Sequence, residues 1–137
     1  MDFKIMQAVV EAAPERRPAC VLIVEDEFLV RMTASDALRD AGYHVLEAMS
    51  GDEAVEILAS GVSVDLIFSD VRMPGSLDGL GLLGHVQAAF PGLPFIMTSG
   101  HLQPGLADVD RASRFLAKPY RLEQVFQMIE NELANAR

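Results

Sequence analysis

Four apolar runs in this sequence each end on a side chain able to do chemistry. CVLIV leads into Glu25, Asp26 and Glu27, and VDLIFS leads into Asp70. PFIMT leads into Ser99, and RFLA into Lys118, which Pro119 follows. Carboxylates gathered in one place repel one another and raise at least one pKa unless a cation sits among them. Oxygen donors with no cysteine or histidine suit a hard ion, and Mg²⁺ is the usual one where phosphate is handled. A lysine and a hydroxyl on the same rim supply a positive charge and a hydrogen-bond donor for an oxyanion. Taken together, the set suits transfer of a phosphoryl group onto a carboxylate, with Asp70 as the nucleophile and an acyl phosphate as the product.

Such residues meet only if the intervening chain brings the ends of the runs together. Short apolar segments bounded by turn formers predict strands at 20–24, 43–48, 64–69, 95–98 and 114–117. Between them, helical spacing predicts a helix from Phe28 to Ala41, with Leu29, Met32, Ala37 and Leu38 towards the core and Gly42 as its stop. A second helix runs from Asp52 to Ala59 behind a Ser50 cap, with Glu53 at the capping-box position and Gly61 after its end. A third follows Asp78 to about Phe90, and a last one, Leu122 to Ala134, carries the stripe Leu122, Val125, Phe126, Ile129 and Leu133. Strands alternating with helices through short links predict a parallel sheet covered on both faces. In such sheets ligands bind at the carboxyl ends of the strands, where Asp70 falls.

Composition narrows the function classes. The 137 residues suit one domain, and half of them are hydrophobic, as in a globular protein. A net charge of −9 disfavours direct binding to nucleic acid or to anionic membrane. Cys20 is the single cysteine, which excludes an intramolecular disulfide and suits a reducing compartment; the expected location is the cytoplasm. Residues 1–18 stand apart as an N-terminal extension. Phe3, Met6, Val9, Val10 and Ala13 recur at helical spacing before Pro14 and Pro18. The extension reads equally as a frayed tail or as an amphipathic helix that packs on the body or on a second subunit.

The stretches VLIVEDE, DLIFSDVRMPGSLDG, PFIMTSG and FLAKPY, in that order and spacing, resemble the response-regulator receiver domain of two-component signalling. The resemblance runs from about Ala19 to Asn135, takes residues 19–137 as one domain, and implies a flavodoxin-like, doubly wound α/β fold with a five-stranded parallel sheet in the order 2-1-3-4-5. By that resemblance Asp70 is the phosphoacceptor. Glu25, Asp26, Asp70 and the backbone carbonyl of Arg72 are the ligands of Mg²⁺. Lys118 binds the phosphoryl group, Pro119 follows a cis bond, Ser99 is the switch hydroxyl and Phe115 the aromatic that moves with it. The implied donors are a sensor histidine kinase or a histidine phosphotransfer protein. Output then passes to a downstream protein, with a homodimer through residues 1–18 or the last helix face as a further contact.

Four departures from the commoner family pattern bear on function. Ser99 stands where threonine is commoner, and Phe115 where tyrosine is frequent. The loop MPGSLDG is one residue longer than the usual form, which reshapes the mouth of the site. The chain between Ser99 and Lys118 is short and contains Pro104 and Gly105, so a brief or irregular helix is expected there. The side chain of Arg72 reads as a gate on water or as a solvated loop residue. His44, His85 and His101 show no ligand spacing, and Cys20 reads as core packing.

These readings favour a stand-alone phosphorylation switch or phosphoryl shuttle that catalyses only its own modification. Two alternatives stay open. One is a receiver-shaped scaffold that works without phosphorylation. The other, less favoured, is an aspartate-nucleophile phosphatase, which needs a second aspartate where Arg72 stands. Neither GxxxxGK[ST] nor GxGxxG occurs, which disfavours a nucleotide-binding protein.

Overall fold

The structure, a computed structural model, describes residues 17–100 and 114–136. Its elements in chain order are β1 (Cys20–Val24), α1 (Phe28–Asp40), β2 (His44–Ala48), α2 (Gly51–Ala59), β3 (Leu66–Asp70), α3 (Gly79–Ala89), β4 (Phe95–Ser99), β5 (Arg114–Ala117) and α4 (Leu122–Asn135). The five strands are parallel and ordered 2-1-3-4-5, as the sequence led us to expect. Most of the extension, with His101, Pro104, Gly105 and the brief helix expected near them, lies outside the described residues.

Alternation along each strand divides the apolar residues between two cores. Leu22, Val24, Ile67, Phe95 and Met97 pack with Ala54 and Leu58 of α2 and Leu82, Leu83 and Val86 of α3. Val21, Ile23, Leu66, Phe68 and Ile96 face the other way, onto Ala34 and Leu38 of α1 and Val125 and Ile129 of α4. A strand covered on both faces has no polar side to expose, which is why β1, β3 and β4 are near-continuous apolar runs.

The ends of the elements follow local chemistry. Ser50 accepts a hydrogen bond from the Glu53 amide at 3.1 Å, and Asp78 accepts one from the Gly81 amide at 2.8 Å, so both expected caps form. Gly42 ends α1 at φ +99°, with its amide on Arg39 O at 3.0 Å and the Tyr43 amide on Leu38 O at 3.1 Å. Four strand boundaries move. β2 starts one residue later than expected, β3 begins at Leu66 and takes in Asp70 itself, and β4 takes in Ser99.

The inward face of α1 needs a larger correction. Leu29 is 70% exposed and Met32 38% exposed, whereas Arg31, Ala34, Ser35 and Leu38 are buried. Positions 31, 34, 35 and 38 form one stripe of a 3.6-residue helix, and Leu29 lies about 160° round from Arg31. The helix turns this face inward because Arg31 finds its partners there, as described below. This phase sets a direct comparison by urea unfolding: Leu38→Ala costs about 2–5 kcal/mol, and Leu29→Ala stays within about 0.5 kcal/mol. Equal losses would mean that the helix is rotated.

Candidate functional site

Register carries the candidate residues to one edge. Val24 pairs with Ser69, Asp70 with Thr98 and Ser99 with Ala117, so the carboxyl ends of β1, β3, β4 and β5 line up. Glu25 continues the β1 ladder, with its amide on Ala48 O at 3.0 Å. Asp70 is the last residue of β3, and the loop after it folds back sharply. The Gly79 amide bonds Val71 O at 2.8 Å, and a Cβ at Gly79 would strike the carbonyl of Asp70. Only glycine lets α3 start this close to the strand end that carries the acid.

Lys118 closes the site. Its Nζ donates to Glu25 Oε1 at 2.8 Å and to Asp70 Oδ2 at 3.1 Å. Three features of the chain fix its own position. The Lys118 amide bonds Ser99 O at 2.9 Å, the Lys118–Pro119 bond is cis, and the Tyr120 ring meets Phe68 edge-on at 5.7 Å. Carboxylate oxygens of Glu25, Asp26 and Asp70 lie within 4.8 Å of one another. Glu25 and Asp70 are buried and Asp26 is exposed, so the cluster opens to solvent on the Asp26 side. There a shallow hollow of about 400 Å³ is lined by Asp26, Arg72, Met73, Pro74 and Asp78. An all-oxygen donor set with one exposed member fits a hard divalent cation that keeps some of its water.

Backbone amides fix the acids further. The Glu27 amide donates to Glu25 Oε2 at 3.2 Å, and the Arg72 amide approaches Asp70 Oδ1 at 3.4 Å. Ser99 is buried on the face of β4 that carries Phe95 and Met97. Phe115, paired with Met97 in the sheet, is half-buried against the same core. The expected hydroxyl and aromatic therefore share one face beside the acids. The lengthened loop is held to α2: Asp52 accepts the Ser76 hydroxyl at 2.7 Å and the Ser76 amide at 3.2 Å, with Gly75 at φ +105° between. Of the histidines without ligand spacing, His44 is exposed and His85 half-exposed. Cys20, read as core packing, is only half-buried at the opposite edge of the sheet, where burial raises its thiol pKa.

The electrostatics follow from burial. Burial pushes the Glu25 carboxyl up to about 7; the Lys118 hydrogen bond pulls against this, and the charge of Asp70 adds to the rise. For Lys118, burial alone would lower the pKa, but the hydrogen bond to Glu25 and the charges of Asp70 and Glu25 hold it above its ordinary value. Burial also raises Tyr120, against the nearby Lys118 charge.

Sequence reasoning passed over Arg31 and Glu47. Arg31 Nη1 donates to the carbonyl of Glu25 at 2.9 Å, and its Nε to Glu47 Oε1 at 3.2 Å. The available signal was a basic residue in phase with Ala34, Ser35 and Leu38, and a lone acid inside the strand HVLEA.

Residues 21–130 match the family model of the response regulator receiver domain. Sensor kinase CckA of Brucella abortus is 41% identical over 119 residues, which is 84% of this chain and 12% of that protein. Transcriptional regulatory protein PdtaR of Mycobacterium tuberculosis is 35% identical over 131 residues, covering 93% of this chain and 61% of PdtaR. The chain thus spans less than two thirds of the length of either. Among solved structures, a response regulator receiver protein from Sinorhizobium medicae superimposes with a TM-score of 0.82 at 25% identity, covering 88% of this chain and 98% of the other.

A raised carboxyl pKa has a definite effect on stability. The folded state holds the Glu25 proton more tightly than the unfolded state, where the value is 4.5. The stabilisation from this group is complete below about pH 4.5 and fades as pH rises through about 7. Thermal unfolding in chelator, compared between wild type and Glu25→Gln, reads this directly. The wild type loses stability relative to the variant between pH 5 and 7.5, and a constant difference would show that Glu25 does not titrate there.

Proposed function

The chain belongs to the response regulator receiver domain family, and from that membership we propose that it accepts a phosphoryl group from a phosphohistidine onto Asp70. The donor is a histidine kinase or a histidine phosphotransfer protein, the partners with which receiver domains interact. One oxygen of the Asp70 carboxylate attacks phosphorus, the P–N bond breaks, and its electron pair leaves with the imidazole. The acyl phosphate so formed is later attacked by water at phosphorus, which returns inorganic phosphate and free Asp70.

The observation that carries this reading is the sharing of Lys118 between Glu25 and Asp70, at 2.8 and 3.1 Å, beside the exposed Asp26. A lysine on the acceptor carboxylate is one hydrogen bond away from the oxygens that a phosphoryl group would add. It can pass from Asp70 to the phosphoryl group without leaving Glu25. Glu25, Asp26, Asp70 and the carbonyl of Arg72 would hold Mg²⁺, which when bound offsets the charge on the transferring oxygens. Lys118 supplies fixed positive charge to the same oxygens, and pre-positioned charge of this kind lowers the barrier without rearrangement. The buried hydroxyl of Ser99 donates to a phosphoryl oxygen, and Phe115, on the same face, adjusts with it. In this way a change of charge at Asp70 becomes a change of surface at β4 and β5. The output is contact with a downstream protein, and the chain's catalysis is confined to its own modification.

Intact-mass measurement after incubation with acetyl phosphate and Mg²⁺ tests the reading. Wild type gains one phosphoryl adduct, while Asp70→Asn and wild type in chelator gain none. A folded wild type that takes no adduct from acetyl phosphate or from active histidine kinases would leave the phosphorylation-independent scaffold as the better account.

A further inference from the structure

Arg31 is a buried cation with three partners, none of them a solvent contact. Its Nη1 donates to Glu25 O at 2.9 Å, its Nε to Glu47 Oε1 at 3.2 Å, and its guanidinium carbon lies 5.5 Å from the centre of the Phe28 ring. The carbonyl it holds belongs to the peptide unit that joins Glu25 to Asp26. On the other side, the Glu25 amide is fixed by Ala48 O at 3.0 Å. The backbone of Glu25 is therefore held on both sides, its amide by the sheet and its carbonyl, which leads into Asp26, by Arg31.

We propose that Arg31 is a positioning residue for the metal site: by fixing the Glu25–Asp26 peptide plane it aims both carboxylates at the cation. The inference rests on the reading of Glu25 and Asp26 as metal ligands. Arg31 touches no ligand oxygen and acts through the backbone alone. A cation beside a metal site would ordinarily weaken it by repulsion, but Glu47 offsets this charge at 3.2 Å. Glu47 is held in turn by Arg39 Nη2 at 3.1 Å. Geometry, and not net charge, is what Arg31 contributes. Its planar fork serves the carbonyl and the carboxylate at once, which a lysine ammonium on a flexible stem cannot do in the same geometry.

Calorimetric Mg²⁺ titration of the full chain without phosphodonor tests this with four proteins. Wild type binds, and Asp26→Asn loses binding. Arg31→Lys, which keeps the charge and loses the fork, binds roughly tenfold more weakly, the scale seen when groups that orient metal ligands are changed. Arg39→Ala, which disturbs Glu47 but not Glu25, stays within about twofold of wild type. Unfolding in chelator is followed in parallel. A purely structural arginine would lower stability and leave the Mg²⁺ affinity of the folded variant unmoved. If Arg31→Lys does not fold, the Nε–H resonance of Arg31 in the wild type decides: it shifts on saturation with Mg²⁺ while that of Arg39 stays still. Wild-type affinity in folded Arg31→Lys, or a still Arg31 resonance in a protein that binds Mg²⁺, overturns the proposal alone. A wild type that binds no Mg²⁺ overturns the metal reading and this inference together.

Discussion

Two buried carboxylates, Glu25 and Asp70, lean on one ammonium group, and much of this structure can be traced to that arrangement. Neither acid is surrounded by water, so each charge must find a partner inside the protein. Lys118 supplies both partners at 2.8 and 3.1 Å. One positive charge is shared between two negative ones with the exposed Asp26 close by; burial in the first place, and the Asp70 charge after it, raise the Glu25 pKa. A site held together in this way is unsatisfied electrostatically while it is well fixed sterically. Its three carboxylates form an all-oxygen set that fits a hard divalent cation.

Each contact that aims these groups comes from a different part of the chain. β1 presents Glu25, β3 presents Asp70, and β5 presents Lys118 from the far side of β4. The order 2-1-3-4-5 makes β3 the neighbour of both β1 and β4, which puts Asp70 between the acidic pair and the lysine. Tyr120 against Phe68 ties the lysine segment back to β3, and the close approach of Gly79 to Asp70 ties α3 to the same strand. The loop after β3 is anchored on Asp52 of α2, to which Ser76 donates at 2.7 Å. Arg31 performs the corresponding service beneath the acidic pair.

The same arrangement explains the rotation of α1. Helical spacing in the sequence turns Leu29, Met32, Ala37 and Leu38 towards the core together, whereas the structure buries Leu38 with Arg31, Ala34 and Ser35. An arginine in that stripe would normally count against burying it. Inside the fold that arginine meets Glu47 and the Glu25 carbonyl, and the apparent polar error becomes the better-paired face. The residues left outside, Phe28, Leu29 and Met32, make the outward side of α1 unusually apolar.

What the sequence determined by itself was whatever depends on near neighbours along the chain. Alternation of apolar runs with helical spacing set the parallel sheet, Ser50, Asp78 and Gly42 set helix ends, and the run-then-acid pattern placed Asp70 at a strand end. Glu25, Asp26, Asp70 and Lys118 were legible as a set because their chemistry makes sense only if they meet. Tertiary structure alone decided which face of α1 turned inward, that Glu47 inside a strand would neutralise Arg31, and that Ser76 would hold on to Asp52. These are pairings between residues 16 and 24 positions apart. Neither pairing has a periodic signature along the chain, and each forms only once the layers have brought its two elements together: Arg31 meets Glu47 in a part-buried contact, and Ser76 meets Asp52 at the surface through two hydrogen bonds.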